Sequence, residues 1–321
     1  MPKSKVFYYV ESAPQILSAY RHILQKKINE FDMLVRLNGN IINDEQIQLV
    51  LKKLELIKSG NIVAHRLGYK LIYTLIRRSL LGKYSEFCIA DIRSPVSLFA
   101  IILSLSKKFV LLDDGVASIT FYKLRQQKEG ILIGGTFKRA LARFAQARLK
   151  DITLHTMMPL NSIDGITVEL NEYKFQPSNA RIKVGIDEAL AVFIGSKVVE
   201  EGVCSKEYFE NTIKRFVSAN IGRRLVYVAH REESLEKFEI FPQLQIVRLP
   251  HPLELEYGVV CDIPSCICSF YSAGLVHFLP YRNKIKIIAY GLPIEQSNKK
   301  YHQSIKSSKY LFEEVLGIES E

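Results

Sequence analysis

The feature that most constrains this chain is an alternation. Short apolar runs rich in β-branched and aromatic residues are separated, nearly end to end, by stretches with helical spacing. Val6–Val10 reads as a strand, and Ala13–Lys27 as a helix with Ile16, Leu17, Tyr20 and Leu24 on one face. Met33–Leu37 and Asp44–Ile57 repeat the pair. The strand Phe87–Ala90, the buried helix Val96–Leu105 and the strand Phe109–Leu112 follow. A looser polar stretch, Asn171–Lys183, interrupts the pattern, which then resumes. Strands are expected at Leu190–Ile194, Arg224–Ala229, Leu244–Leu249, Ile267–Phe270 and Lys284–Tyr290, with a helix at Ser205–Ala219 and another from Ser272 through Leu279. Such alternation predicts an α/β protein with mainly parallel sheets. The break near residue 180 predicts two Rossmann-like domains, 1–180 and 181–321, facing a central cleft.

Composition removes several other classes. With 48% hydrophobic and 24% charged residues, disorder is excluded as the main state. The five cysteines are odd in number and lack finger spacing, so they read as reduced, mostly buried thiols without zinc. The apolar run Val6–Val10 is too short for a signal peptide and ends at Glu11. The run between Pro95 and Leu105 falls well short of the roughly 20 residues that a spanning helix needs. A cytoplasmic protein is expected.

The net charge of +11 asks for a partner. Phe137–Lys150 carries Lys138, Arg139, Arg143, Arg148 and Lys150 among Phe137, Ala140, Leu141, Phe144 and Ala147, which is a basic amphipathic helix. Tyr69–Lys83 is similar. These helices suit the anionic inner face of a membrane, although a plain solvated surface, or packing of the apolar face into the first domain, explains them too. Zinc-finger spacing and ribonucleoprotein motifs are missing, so nucleic acid is not the expected partner.

Ligands of open α/β sheets collect beyond the carboxyl ends of the strands. Those ends carry Glu11-Ser12, Asp113-Asp114-Gly115, Gly195-Ser196, His230-Arg231-Glu232, His251-Pro252 and Ser269–Ser272. No Gly-x-Gly-x-x-Gly, Walker A loop or Gly-x-Ser-x-Gly elbow is present. Two adjacent carboxylates cannot point the same way. One of Asp113 and Asp114 faces the cleft while the other caps the next helix, unless the pair is only a turn. Pro252 restricts His251 to extended geometry, for a ligand or as an ordinary loop residue. Ser272 opens a helix whose N–H groups suit an anion, or simply caps it.

Taken together, these motifs resemble the bacterial sialyltransferases of glycosyltransferase family 52. The resemblance rests on Val10–Gln15, Leu111–Gly115, Phe193–Val198, Tyr227–Glu233, Pro250–Pro252 and Ser269–Ala273, in that order, and runs from about residue 6 to about residue 290. It implies a GT-B enzyme that moves sialic acid from CMP-sialic acid to a terminal galactose of a lipid-linked surface glycan. Inversion at the anomeric carbon is implied, with neither metal nor cofactor. By position, Asp113 would be the base and His251 would assist the departing CMP. Ser272 and Ser269 would hold its phosphate, and Gly195 and Ser196 would admit the nucleotide. Gln15 and Asp114 would lie on the acceptor side, and Glu254 would bind the ribose. The stretch between His-Pro and the serine junction is shorter than in related enzymes, which leaves Glu254 as a choice made beside Glu256. Transfer of another sugar on the same fold, or a degenerate glycan-binding module, are the alternatives. A second copy of the chain stands among the expected partners.

Overall fold

Twelve parallel strands carry the alternation through in the computed structural model, which describes residues 5–54, 60–129, 136–171, 185–257 and 261–318. They form two sheets, and the chain divides into two units, Met1–Phe175 and Gln176–Glu321. Most of the expected linker, 172–183, lies outside the described residues, as does the end of the helix expected to reach Ile57.

In the first unit the strands are β1 (Lys5–Val10), β2 (Phe31–Leu37), β3 (Asn61–Arg66), β4 (Tyr84–Ile89), β5 (Phe109–Leu112), β6 (Ile152–Thr156) and β7 (Ile166–Leu170). Their spatial order is β3-β2-β1-β4-β5-β6-β7, and each neighbour is parallel. The chain reverses its direction of travel across the sheet between β1 and β4, which is the switch point of a Rossmann-like sheet. Helices α1 (Ala13–Lys26), α2 (Ile41–Lys53), α3 (Tyr69–Leu81), α4 (Pro95–Leu103), α5 (Val116–Gln126) and α6 (Thr136–Arg148) connect the strands. Alternate side chains of β1 serve opposite layers. Phe7 and Tyr9 pack with Leu71 and Leu75 of α3, Leu98 and Ile101 of α4, and Ala145 of α6. Tyr8 points the other way and meets His22 of α1.

The second unit repeats the scheme with five strands, β8 (Ile186–Ile194), β9 (Arg224–Val228), β10 (Gln245–Val247), β11 (Ile263–Phe270) and β12 (Lys286–Tyr290). Their order, β10-β9-β8-β11-β12, puts the switch point between β8 and β11. Aromatic rings fill this core. Phe193 lies nearly parallel to Tyr227, with centroids 5.3 Å apart, and meets Phe216 and Phe270 edge-on. Such pairs add about 0.5–1.5 kcal/mol each beyond burial. Helix α7 (Lys206–Ala219) begins at Ser205, whose hydroxyl accepts from the Tyr208 N–H. A single turn, α8 (Leu253–Glu256), follows β10, and α9 (His302–Lys309) comes after β12.

The α/β class and the two Rossmann-like sheets are those the alternation predicts. Local details differ. The helix expected after Ser272 is a 3₁₀ helix, Ala273–Tyr281. Pro280 has no N–H to give, so the last turn cannot close as an α-helix. Helix α6 does not lay all the expected apolar residues against the sheet. Ala142, Ala145 and Leu149 are buried and Leu141 packs beside them, while Ala140, Phe144 and Ala147 face outward.

Candidate functional site

The first unit's strand ends are joined by one polar network. Pro14 sits in the first turn of α1, where no N–H is needed, and brings Gln15 back over the end of β1. The Gln15 carbonyl accepts from the Glu11 N–H (2.7 Å), and its amide donates to Asp114 Oδ1 (3.0 Å). Glu11 Oε1 accepts from Tyr9 (2.8 Å) and Ser94 (2.6 Å), and Oε2 pairs with Arg36 (2.8 Å). Arg93, after β4, bonds Asp91 (2.9 Å) and reaches Asp114 at 3.6 Å.

The two adjacent carboxylates do point apart, and their surroundings differ. Asp113 Oδ2 accepts from the Thr156 hydroxyl (2.9 Å) and the Met157 N–H (3.1 Å), both at the end of β6. Its Oδ1 accepts from the Gly115 N–H (3.2 Å). Gly115 has φ +65°, a left-handed conformation that glycine adopts without strain. Asp113 thus ties β5, β6 and the start of α5 together. Asp114 has one bond from Gln15 and the longer pair with Arg93. Burial pushes its carboxyl up to about 7; the Asp91 charge adds to the rise, and Gln15 and Arg93 oppose it. A carboxyl near 7 can take up and release a proton at neutral pH.

In the second unit Gly195 and Ser196 end β8 at the switch point. A Cβ on Gly195 would lie 2.5 Å from Glu233 Oε2 and 2.6 Å from the Tyr227 ring. Glycine is needed there because a buried acid comes so close. Glu233 accepts from the Tyr227 hydroxyl (2.7 Å) and the His230 N–H (2.8 Å) and pairs with the buried Lys237 (2.7 Å). Ser196 Oγ is buried with no hydrogen-bond partner among the described residues.

Other motif residues lie at the same sheet edge. A Cβ on Gly274 would lie 3.0 Å from Leu253 and 3.5 Å from Ile194, so the turn after β11 rests against both α8 and the end of β8. Ser272 Oγ accepts from the Gly274 N–H (3.2 Å), leaving its hydroxyl proton for a ligand. The preceding Tyr271 has φ +32°, a strained value for a residue with a side chain. Its ring stacks on Phe312 at 5.6 Å, and its hydroxyl donates to Glu313 (3.1 Å). The one-turn α8 folds Glu256 back onto His251, with Oε2 3.3 Å from Nδ1. Glu254 is partly exposed and has no hydrogen bond or ion pair among the described residues. Ser269 is fully buried, and its hydroxyl donates to the Ile194 carbonyl (2.8 Å) inside the sheet.

Sequence reasoning does not single out Arg93 or Thr156, gives Glu233 and Tyr271 no role within their motifs, and names Glu256 only as an acid beside Glu254. Glu256 stood beside His251 as an acid, and the proline turn between them was its only signal. Thr156 lies on a strand that polar residues conceal.

No protein-family profile matches the chain, and no curated protein matches it. Among solved structures it is similar to the UDP-GlcNAc 2-epimerase of Methanocaldococcus jannaschii, crystallised in complex with UDP-GlcNAc and UDP. The TM-score is 0.48 with 11% identity, over 98% of this chain and 93% of that one.

Proposed function

We propose that this chain is a GT-B glycosyltransferase that moves sialic acid from CMP-sialic acid to a terminal galactose of a surface glycan, with inversion. One observation carries the reading. All six sequence motifs of the resemblance fall at the carboxyl end of a parallel strand, three of them flanking a switch point. A transferase needs a base for the acceptor hydroxyl and a cradle for the departing nucleotide. The first unit supplies a carboxyl poised near 7, and the second supplies hydroxyls and an imidazole.

The surroundings favour Asp114 as the base and give Asp113 the task of holding its loop. In the proposed step the galactose oxygen attacks the anomeric carbon of sialic acid. Its proton passes to the Asp114 carboxylate, and the bond to the CMP phosphate breaks with its electron pair on the phosphate oxygen. His251, oriented by Glu256 through Nδ1, donates to that oxygen, and Ser272 and Ser196 hold the phosphate. Glu254 is the carboxylate free for the ribose hydroxyls. Gln15 orients Asp114 on the acceptor side. The step as drawn calls on no metal.

Peripheral attachment at the inner leaflet belongs to the same proposal. Among the described residues no helix is long and apolar enough to cross a membrane. The outer face of α3 presents Tyr69, Tyr73 and Leu81, which are 79%, 65% and 75% exposed, with Arg77 between them. On α6 the exposed Phe144 stands beside Arg143. Basic residues interspersed with exposed aromatic and aliphatic ones suit an anionic bilayer.

The test is a donor panel. The purified chain is given CMP-sialic acid, UDP-GlcNAc or UDP-galactose with a galactoside acceptor. A sialylated product with CMP release from the first donor alone is expected. Transfer from a UDP sugar reassigns the donor, and binding without turnover of any donor leaves a non-catalytic module.

A further inference from the structure

Beneath the first sheet lies a group that the proposed chemistry does not use. His22 on α1 and Glu86 and Cys88 on β4 each offer one ligand atom, and the three atoms lie within 4.8 Å of one another. His22 and Cys88 are fully buried, and Glu86 is partly so. The Tyr8 hydroxyl lies 2.8 Å from His22 Nδ1 and holds the ring. That leaves Nε2, which is buried without a hydrogen-bond partner among the described residues and lies 3.8 Å from Glu86 Oε2. Lys108 takes the other oxygen, Oε1, and so leaves Oε2 facing the histidine.

A buried ring nitrogen left without a partner is costly, so a ligand that bonds it is favoured. The Cys88 thiol beside it is fully buried, next to the Glu86 carboxylate. The unpartnered Nε2 is the ring atom that faces the carboxylate. One divalent ion would satisfy all three groups. A thiolate and a carboxylate balance its two charges, and a neutral imidazole completes the set. The thiolate selects against magnesium and calcium, and a mixed nitrogen, oxygen and sulfur donor set suits zinc or cobalt. Tyr8 on Nδ1 is the outer partner that orients a ligating histidine. The half-buried Glu86 and the partly exposed Lys108 offer a way in from solvent.

We propose that His22, Glu86 and Cys88 form a zinc-class metal site that ties helix α1 to strand β4. The site is separate from the strand-end carboxylates and does not depend on the transferase reading. Its role is structural, since α1 carries Gln15 at one end and His22 toward the other.

The test uses chelator-stripped protein titrated with Co²⁺ and, in parallel, Zn²⁺. One equivalent of Co²⁺ should produce a near-ultraviolet thiolate-to-cobalt band, and Zn²⁺ should raise the melting temperature. Cys88→Ser should remove the band. Glu86→Gln, which keeps the shape of the side chain, should weaken Co²⁺ binding by about tenfold or more. Cys261→Ser, at the exposed thiol, should keep the band. The absence of a band in the wild type, or a band kept by Cys88→Ser and lost by Cys261→Ser, overturns the proposal.

Discussion

The two sheets share a topology, yet their strand-end edges are built differently. In the first unit the polar groups close on one another: Glu11 has three side-chain partners, Asp113 is held at both oxygens, and Gln15 links Glu11 to Asp114. In the second unit buried acid chemistry lies one layer back, in the Glu233–Lys237 pair under Gly195. The residues in front are left short of partners. Ser196 Oγ has no hydrogen bond among the described residues, and Ser272 Oγ only accepts one, from the Gly274 N–H. A closed network holds a carboxyl in one place and at a shifted pKa. An open edge keeps its hydrogen-bonding capacity for a ligand, and a ligand that supplies the missing bonds gains the free energy that leaving them unmade costs.

The largest expected effect separates the two aspartates. Asp114→Asn should lower turnover by about 10²–10⁴-fold, as loss of a general base does, with little change in fold. Asp113→Asn should lower the melting temperature as well, because an amide cannot accept from both Thr156 and the Met157 N–H while keeping Gly115. Steady-state rates and thermal melts of both variants check this. Normal turnover in Asp114→Asn would return the base to Asp113.

Next is the stability of Asp114 itself. Its carboxyl stands near 7 in the folded chain against an ordinary 3.8. Its contribution to stability is therefore intact below 3.8 and is lost as pH rises through about 7. Asn removes that loss. Asp114→Asn should stabilise the first unit relative to wild type at about pH 8, by on the order of 2–4 kcal/mol, compared with the difference at about pH 4. Thermal melts across that range should show the gap widening with pH; a constant gap would mean that Asp114 does not titrate there.

In the second unit, Gly195→Ala forces a methyl group against Glu233 and Tyr227. Overpacking of this kind costs about 1–3 kcal/mol. Denaturant melts should show the loss, and CMP affinity should fall with it. Unchanged stability would show that Glu233 can move away.

The smallest effect concerns the basic surface. Replacing Arg77 and Arg143 with Glu should weaken co-sedimentation with anionic vesicles, at about 1 kcal/mol for each basic residue removed, with the attraction fading as salt rises. Equal partitioning on neutral vesicles would remove the membrane from the account.

Much of this was legible from the residues. Strands such as Phe109–Leu112 and Leu190–Ile194 are uniformly apolar and buried, and Asp113-Asp114 and Gly195-Ser196 fall just past them. Strands with polar residues were hidden. β6, Ile-Thr-Leu-His-Thr, is fully buried, but three of its five residues are polar, and β3 and β7 are half-exposed edge strands. The difference in surroundings between Asp113 and Asp114 was not legible either. It depends on Thr156 and Gln15, 43 and 99 residues away in sequence. Ser269 shows the opposite failure, since its place in a motif suggested a ligand, whereas its hydroxyl bonds the neighbouring strand.

The central claim is that nucleotide binding belongs to the second unit's edge and proton transfer to the first. Calorimetric titration of CMP into the wild type, Asp114→Asn and Ser272→Ala tests it directly. Wild type and Asp114→Asn should bind CMP alike, while Ser272→Ala should lose about 1–3 kcal/mol of affinity, as expected for a hydrogen bond to a charged group. Failure of the wild type to bind CMP, or loss of affinity in Asp114→Asn with none in Ser272→Ala, would contradict the account.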